Sequence, residues 1–271
     1  MGSGVAEVAA AAGYTVILRS RQAESADAML AGLAKSLAKQ VEKGKRPQDE
    51  ADAIAARVTA TTDLGELVDA DLVLESVVED LAVKKALFAE LDSICKPGAI
   101  LATNTSTLPV VEMAMATSRP DLVCGIHFFN PAPVMALVEV VRPVTASDDT
   151  MTAALRFAAA CGKDPVEVKD QAGFVVNALL FPYLNNAVRL LEGGVASKEG
   201  IDAAMKGGCG FPMGPFALLD LVGLDTSVAI LDALYDEFRD PNYATVPLLR
   251  RMLTSGQLGR KTGRGFYDYS R

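Results

Sequence analysis

Leu72-Val-Leu-Glu-Ser-Val77, Ala99-Ile-Leu-Ala102, Leu122-Val-Cys-Gly-Ile-His127 and Leu137-Val-Glu-Val-Val141 are four short apolar runs in the first half of the chain. Each is strand-length and rich in β-branched residues, so each reads as a buried strand. Working outward, Thr15–Leu18 is a further short strand, and the stretches between the runs have helical character. A helix is predicted from Ser3 to Ala12 and is stopped by Gly13. A long amphipathic helix follows with Met29, Leu30, Leu33, Leu37 and Val41 on one face, and beyond the turn at Pro47 a second runs to about Arg57. This alternation predicts an α/β fold with a parallel sheet covered by helices. From about Gly173 the character changes: Phe174–Leu191, Ile201–Lys206 and Pro215–Phe238 read as helices without an intervening strand. The polar stretch Lys169-Asp170-Gln171 is the expected boundary, giving an α/β domain over 1–170 and an all-α domain over 171–271.

The chain has 271 residues, half of them hydrophobic, which is ample for a globular core. Its net charge of −8 argues against general nucleic-acid binding, which requires a basic face. No apolar run reaches the roughly 18 residues of a membrane span, and Met1-Gly2-Ser3-Gly4 has no leader pattern. Cys95, Cys124, Cys161 and Cys209 are scattered without paired spacing, which suits reduced thiols in a cytoplasm. A single histidine leaves little for a histidine-based metal site, and no metal is expected.

That histidine, His127, closes an apolar strand and precedes Phe128-Phe129-Asn130-Pro131. Ligands gather at the carboxyl ends of strands in α/β sheets, where a catalytic base would sit; a core or surface histidine is the plain alternative. Glu139 lies twelve positions later inside Ala136-Leu-Val-Glu139-Val-Val. A carboxylate in such a run is costly unless paired, and one beside a histidine would fix its tautomer and stabilise the imidazolium. A half-exposed strand with Glu139 facing water fits the spacing equally. Asn104-Thr105-Ser106-Thr107 places amide and hydroxyl groups at another strand end, suited either to a substrate oxygen or to capping a helix before Leu108-Pro109. Asn177 is polar within an apolar helix and needs a partner, ordinarily across a helix–helix contact. Ser36 and Lys43 are two helical turns apart, on one face, within a basic cluster of Lys39, Lys43, Lys45 and Arg46 that would suit an anionic substrate or a solvated surface.

Together, Asn104-Thr-Ser106, Gly125-Ile-His127-Phe-Phe-Asn-Pro131, Leu137-Val-Glu139-Val, Gly173-Phe-Val-Val-Asn177 and Gly259-Arg-Lys-Thr-Gly263-Arg-Gly-Phe-Tyr267 resemble the L-3-hydroxyacyl-CoA dehydrogenases, bacterial 3-hydroxybutyryl-CoA dehydrogenases above all. The resemblance covers nearly the whole chain. It implies a Rossmann-like doubly wound sheet followed by the helical domain. His127 would take the proton of the substrate's 3-hydroxyl while a hydride passes to NAD or NADP, with Glu139 orienting it. Ser106 and Asn177 would hydrogen-bond the reacting oxygen. Ser36 and Lys43 would contact coenzyme A, and Glu79, Lys84 and Asn104 would line the cofactor site. The helical domain would carry a homodimer.

Two departures from the family pattern stand out. Gly2 fits the last glycine of a G-x-G-x-x-G turn, but the preceding strand and earlier glycines are lacking, which reads as a chain shortened at its N-terminus. The acidic residue that binds the ribose of NAD is replaced by Ser20, beside Arg19 and Arg21, a set that leans towards the 2′-phosphate of NADP. The rival readings are a non-catalytic acyl-CoA-binding or dimerising member of the fold, and a dehydrogenase of another 3-hydroxy acid or of an acyl-carrier-protein thioester.

Overall fold

A computed structural model describes residues 1–270. The chain divides into two compact units, one from Met1 to Asp170 and one from Gln171 onward.

The first unit opens on α1 (Gly2–Ala11), which is buried from Val5 to Ala10 and carries one buried charge there, Glu7. It is followed by β1 (Val16–Arg19), α2 (Ala23–Glu42), α3 (Gln48–Ala55), β2 (Val58–Thr61), β3 (Leu72–Glu75), α4 (Leu81–Ile94) and β4 (Ile100–Thr103). Then come α5 (Val110–Ala114), β5 (Val123–Phe128), β6 (Leu137–Arg142), α6 (Asp148–Ala160) and β7 (Asp164–Lys169). Five strands form one sheet in the order β3-β4-β5-β6-β7, while β1 and β2 pair separately. Every pairing is parallel except β5–β6. No ladder joins β1 to β3 among the described residues, so α1 carries the continuity of the core. Val5, Val8 and Ala9 pack with Ala102, Cys124 and Ile126, whereas Ala6 and Ala10 pack with Leu18, Leu33, Leu37 and Ile54.

Local chemistry sets the ends of these elements. Asp80 accepts from the Val83 amide (2.9 Å) to start α4, and Ser147 accepts from that of Thr150 (3.2 Å) to start α6. Asp170 performs the same service for α5 from the end of β7, accepting from Val110 (2.9 Å) and Val111 (2.7 Å). Burial pushes its carboxyl above the usual range in spite of these two bonds. Two strands are absent from the sequence reading, β2 and β7, both at sheet edges.

The second unit contains α7 (Val176–Glu192), α8 (Lys198–Cys209), α9 (Pro215–Val222), α10 (Leu224–Phe238) and α11 (Pro247–Thr254). They enclose a core of Phe181, Leu184, Phe216, Leu219, Leu231 and Leu249. The run Pro215–Phe238, read from sequence as one helix, is two. Gly223 divides them at φ +100°, a conformation closed to L side chains, and a Cβ there would meet Asp225 Oδ1 at 2.9 Å. Among the described residues, no helix is long and apolar enough to cross a membrane.

Candidate active site

The site is built at the ends of β4, β5 and β6. Antiparallel pairing of β5 with β6 sets His127 directly opposite Glu139, so their side chains share one face of the sheet. Both are buried, and His127 Nδ1 lies 2.9 Å from Glu139 Oε2. An ionised carboxylate only accepts, so Nδ1–H donates, and in the neutral imidazole Nε2 then keeps its lone pair. Ser106 Oγ is 3.1 Å from Nε2 and is placed to donate to it. The result is a continuous chain from Ser106 through His127 to Glu139, with a lone pair at the outer nitrogen and a carboxylate behind. Such an arrangement can take a proton at Nε2 and stabilise the imidazolium that forms. The ring of Phe129 packs on the imidazole at a centroid distance of 4.6 Å.

The connection between β5 and β6 is pinned from below. Lys163 Nζ, buried at the start of β7, donates to the carbonyls of Ala132 (2.6 Å) and Met135 (2.9 Å). Burial lowers the pKa of this amine. Asn130–Pro131 in the same connection is a cis peptide.

The remaining candidates fall into three groups. Asn104 ties two strand ends together: its Oδ1 accepts from the Phe128 amide (2.8 Å) and its own amide donates to the Glu75 carbonyl (2.8 Å). Glu79 and Lys84 form an ion pair (3.2 Å) beside the Ser106 loop. Ser36 lines an open cleft of about 230 Å³ with Ser3, Gly4, Glu7, Asn130 and Pro131. Lys43 is exposed at the C-terminal cap of α2 and does not line that cleft. Ser20 directly follows β1, its amide bonded to the Thr61 carbonyl (3.0 Å), and Arg21 is exposed beside it. Asn177 is buried in the first turn of α7, in the second unit.

The loop Asn104–Thr107 makes a turn and brings one hydroxyl to the imidazole, but it does not cap α5. Thr105 Oγ1 accepts from the Leu108 amide (3.0 Å), as a turn-forming hydroxyl does, while Ser106 faces the imidazole. The true cap of α5 is Asp170. Residues missing from the sequence reading are Glu75, Lys163 and Glu7. Glu75 could have been found by the argument used for Glu139, an acid inside an apolar strand.

A dinucleotide fits these residues. The first turn of α1 carries no side-chain cap and no acidic residue, and with Gly4 and Val5 bonded to the Met1 carbonyl it leaves the amides of Gly2 and Ser3 for an anion. No group of side chains suited to a metal ion occurs among the described residues.

A doubly wound sheet with a histidine–carboxylate pair at its strand ends, followed by a helical unit, is the architecture of a nicotinamide-dependent dehydrogenase. Residues 1–171 match the NAD binding domain of 3-hydroxyacyl-CoA dehydrogenase, and residues 173–269 match its C-terminal domain. The chain is 48% identical to the 3-hydroxybutyryl-CoA dehydrogenase of Clostridioides difficile over 100% of this chain and 96% of that one. It is 43% identical to the human mitochondrial hydroxyacyl-coenzyme A dehydrogenase over 99% of this chain and 88% of the other. The crystal structure of (S)-3-hydroxybutyryl-CoA dehydrogenase from Ralstonia eutropha superposes with a TM-score of 0.97 at 40% identity, covering 100% of this chain and 96% of that chain. The chain belongs to the 3-hydroxyacyl-CoA dehydrogenase family.

Proposed function

We propose that this protein interconverts L-3-hydroxybutyryl-CoA and acetoacetyl-CoA, as an L-3-hydroxyacyl-CoA dehydrogenase. The observation that carries the reading is the Ser106–His127–Glu139 chain, with the lone pair of Nε2 at its outer end. In the oxidative direction Nε2 accepts the proton of the 3-hydroxyl, and Glu139 holds the ring and offsets its new charge. In the reductive direction the imidazolium returns that proton to the carbonyl oxygen. Ser106 steadies the reacting oxygen by a hydrogen bond, a task we also assign to Asn177. The nicotinamide, when bound, supplies the hydride acceptor or donor. Gly2 and the first turn of α1 would hold its pyrophosphate, and Asn104 would line its ribose, whereas Lys84 is sealed by its pair with Glu75 and Glu79 is turned onto the Ser106 loop. Ser36 in the cleft, and Lys43 at the C-terminal cap of the same helix, would receive coenzyme A.

We further assign a lean towards NADP(H). Ser20 brings no negative charge to the end of β1, and the exposed guanidinium of Arg21 beside it favours a 2′-phosphate. Leu179 and Leu190, both exposed on α7, support a homodimer formed through the second unit. The three buried free cysteines and the exposed Cys209 suit a reducing cytoplasm.

The test is acetoacetyl-CoA-dependent oxidation of NADH and NADPH, with acetoacetate as the control. Turnover of the thioester but not the free acid is expected, with the larger kcat/KM for NADPH falling roughly tenfold in Arg21→Ala. Equal kcat/KM for the two cofactors would remove the NADP assignment. Inertness of the folded chain with both would overturn the dehydrogenase reading in favour of acyl-CoA binding without turnover.

A further inference from the structure

We infer that Glu79 is a positioning residue for Ser106, and that the buried Glu75–Lys84 pair serves to hold Glu79 in place. The inference rests on the proton-transfer reading of the Ser106–His127–Glu139 chain.

Glu79 engages the Ser106 loop with one carboxylate oxygen and the protein interior with the other. Its Oε1 accepts from the Ser106 amide (2.9 Å) and from the Thr105 hydroxyl. Its Oε2 faces Lys84 Nζ at 3.2 Å. A carboxylate gripping the backbone of residue 106 and the side chain of residue 105 fixes the direction in which the Ser106 hydroxyl leaves the chain. That hydroxyl meets His127 Nε2.

Lys84 in turn is sealed from water, with a side chain 1% exposed, and is bound to a carboxylate 0% exposed. Its ammonium contacts both oxygens of Glu75, at 2.7 and 2.9 Å. Glu75 also accepts from the Val77 amide (2.5 Å) and the Thr103 hydroxyl (2.7 Å). Glu75 and Thr103 are register partners across β3 and β4, so the anchor is bolted to the sheet itself. The order of support therefore runs from the sheet through Glu75, Lys84 and Glu79 to Ser106.

Energetics explain why this is more than a structural ion pair. A buried pair is stabilised little, or not at all, relative to apolar side chains of the same volume. Its distinctive property is directional: fully hydrogen-bonded charges admit one arrangement. Here the pair is linked to the half-exposed Glu79, whose side chain is 41% exposed, at the point where the network reaches the reacting groups. Catalysis is sensitive to such placement, since displacement by about 1 Å can cost on the order of 10²-fold in rate.

The chain offers a clean readout, because His127 is its only histidine. Imidazole ¹⁵N labelling gives one pair of ring signals, and the Nε2 shift reports the hydrogen bond from Ser106. Three variants complete the experiment: Glu79→Gln, Ser106→Ala and the two combined. Glu79→Gln keeps the shape but sets an amide N–H₂ against either the ammonium of Lys84 or the donors of residues 105 and 106. It should move the Nε2 signal as Ser106→Ala does, and lower kcat by roughly 10–10²-fold while the Kd for NADH stays within twofold. In the Ser106→Ala background it should cost less than about threefold more, as expected for a residue that acts through Ser106. An unmoved Nε2 signal overturns the inference. So does a Kd for NADH raised tenfold with a kcat loss that multiplies that of Ser106→Ala, which would make Glu79 a cofactor contact alone. If the unsubstituted chain fails to turn over, the proposed function falls, and the Nε2 signal still decides whether Glu79 positions Ser106.

Discussion

Asp202 and Asp220 in the second unit, and Glu75 and Glu139 in the first, are buried carboxylates put to opposite uses. In the second unit Asp220 accepts from the amides of Phe266 and Tyr267, both at 2.8 Å, and from the Tyr269 hydroxyl at 3.2 Å. Asp202 likewise accepts from the amides of Phe216 (2.8 Å) and Ala217 (3.2 Å) and from the Tyr267 hydroxyl (2.9 Å). These donors do not ionise near neutral pH; burial and Asp202 drive the Tyr267 hydroxyl further up still. In the first unit Glu139 ends on an imidazole, and Glu75 ends on an ammonium that leads to the Ser106 loop. A buried carboxylate satisfied by backbone amides fixes the chain. One satisfied by a titratable side chain can move a proton or aim a group that does.

The sharpest break of this contrast, short of removing the imidazole itself, is Glu139→Gln. The amide is the same size but carries no charge to hold the imidazolium. We expect kcat to fall on the order of 10²–10⁴-fold with the circular-dichroism spectrum unchanged; a loss below tenfold would reduce Glu139 to a packing residue. A comparable change in the second unit should act on stability. Gly265 lies so close to Asp220 that a Cβ would sit 2.0 Å from its Oδ1. Gly265→Ala should therefore cost about 2 kcal/mol or more, seen as a lower Tm, while the His127 ring signals stay in place. An unchanged Tm would mean that the bonds from Phe266 and Tyr267 to Asp220 do not stabilise the second unit.

The smallest effect concerns thiols. Burial pushes Cys124 up to about 12 and Cys161 up to about 11, and it raises Cys95 as well. Alkylation needs the thiolate, so near pH 8 the native chain should take a single label, on the exposed Cys209 of the second unit. Peptide mapping that finds early label on Cys124 would show that the first unit opens where its sheet is divided between β1 and β3.

Much of the fold was legible because its signals are local. Apolar runs of strand length and the face of α2 are written in adjacent residues. The edge strands escaped for a physical reason: β7, Asp164-Pro-Val-Glu-Val-Lys169, carries charge and a proline, as edge strands do to avoid further pairing. The break at Gly223 depends on a positive φ that no periodicity reveals. The site was legible as a set of residue types, but not as a mechanism of positioning. A separation of twelve positions between His127 and Glu139 could not decide whether the acid met the base or water, and the antiparallel register of β5 with β6 decides it. The anchoring role of Glu75 was hidden because its partners, Lys84 and Thr103, come from different elements.

The most direct test of the central claim, that the imidazole of His127 moves the proton, is His127→Gln in the acetoacetyl-CoA-dependent oxidation of NADH or NADPH. A loss in kcat on the order of 10³-fold or more, with Kd for the cofactor and Tm near those of the unsubstituted chain, is the result expected of a general acid–base. Turnover within tenfold of the unsubstituted chain would contradict it and move the proton transfer to another group.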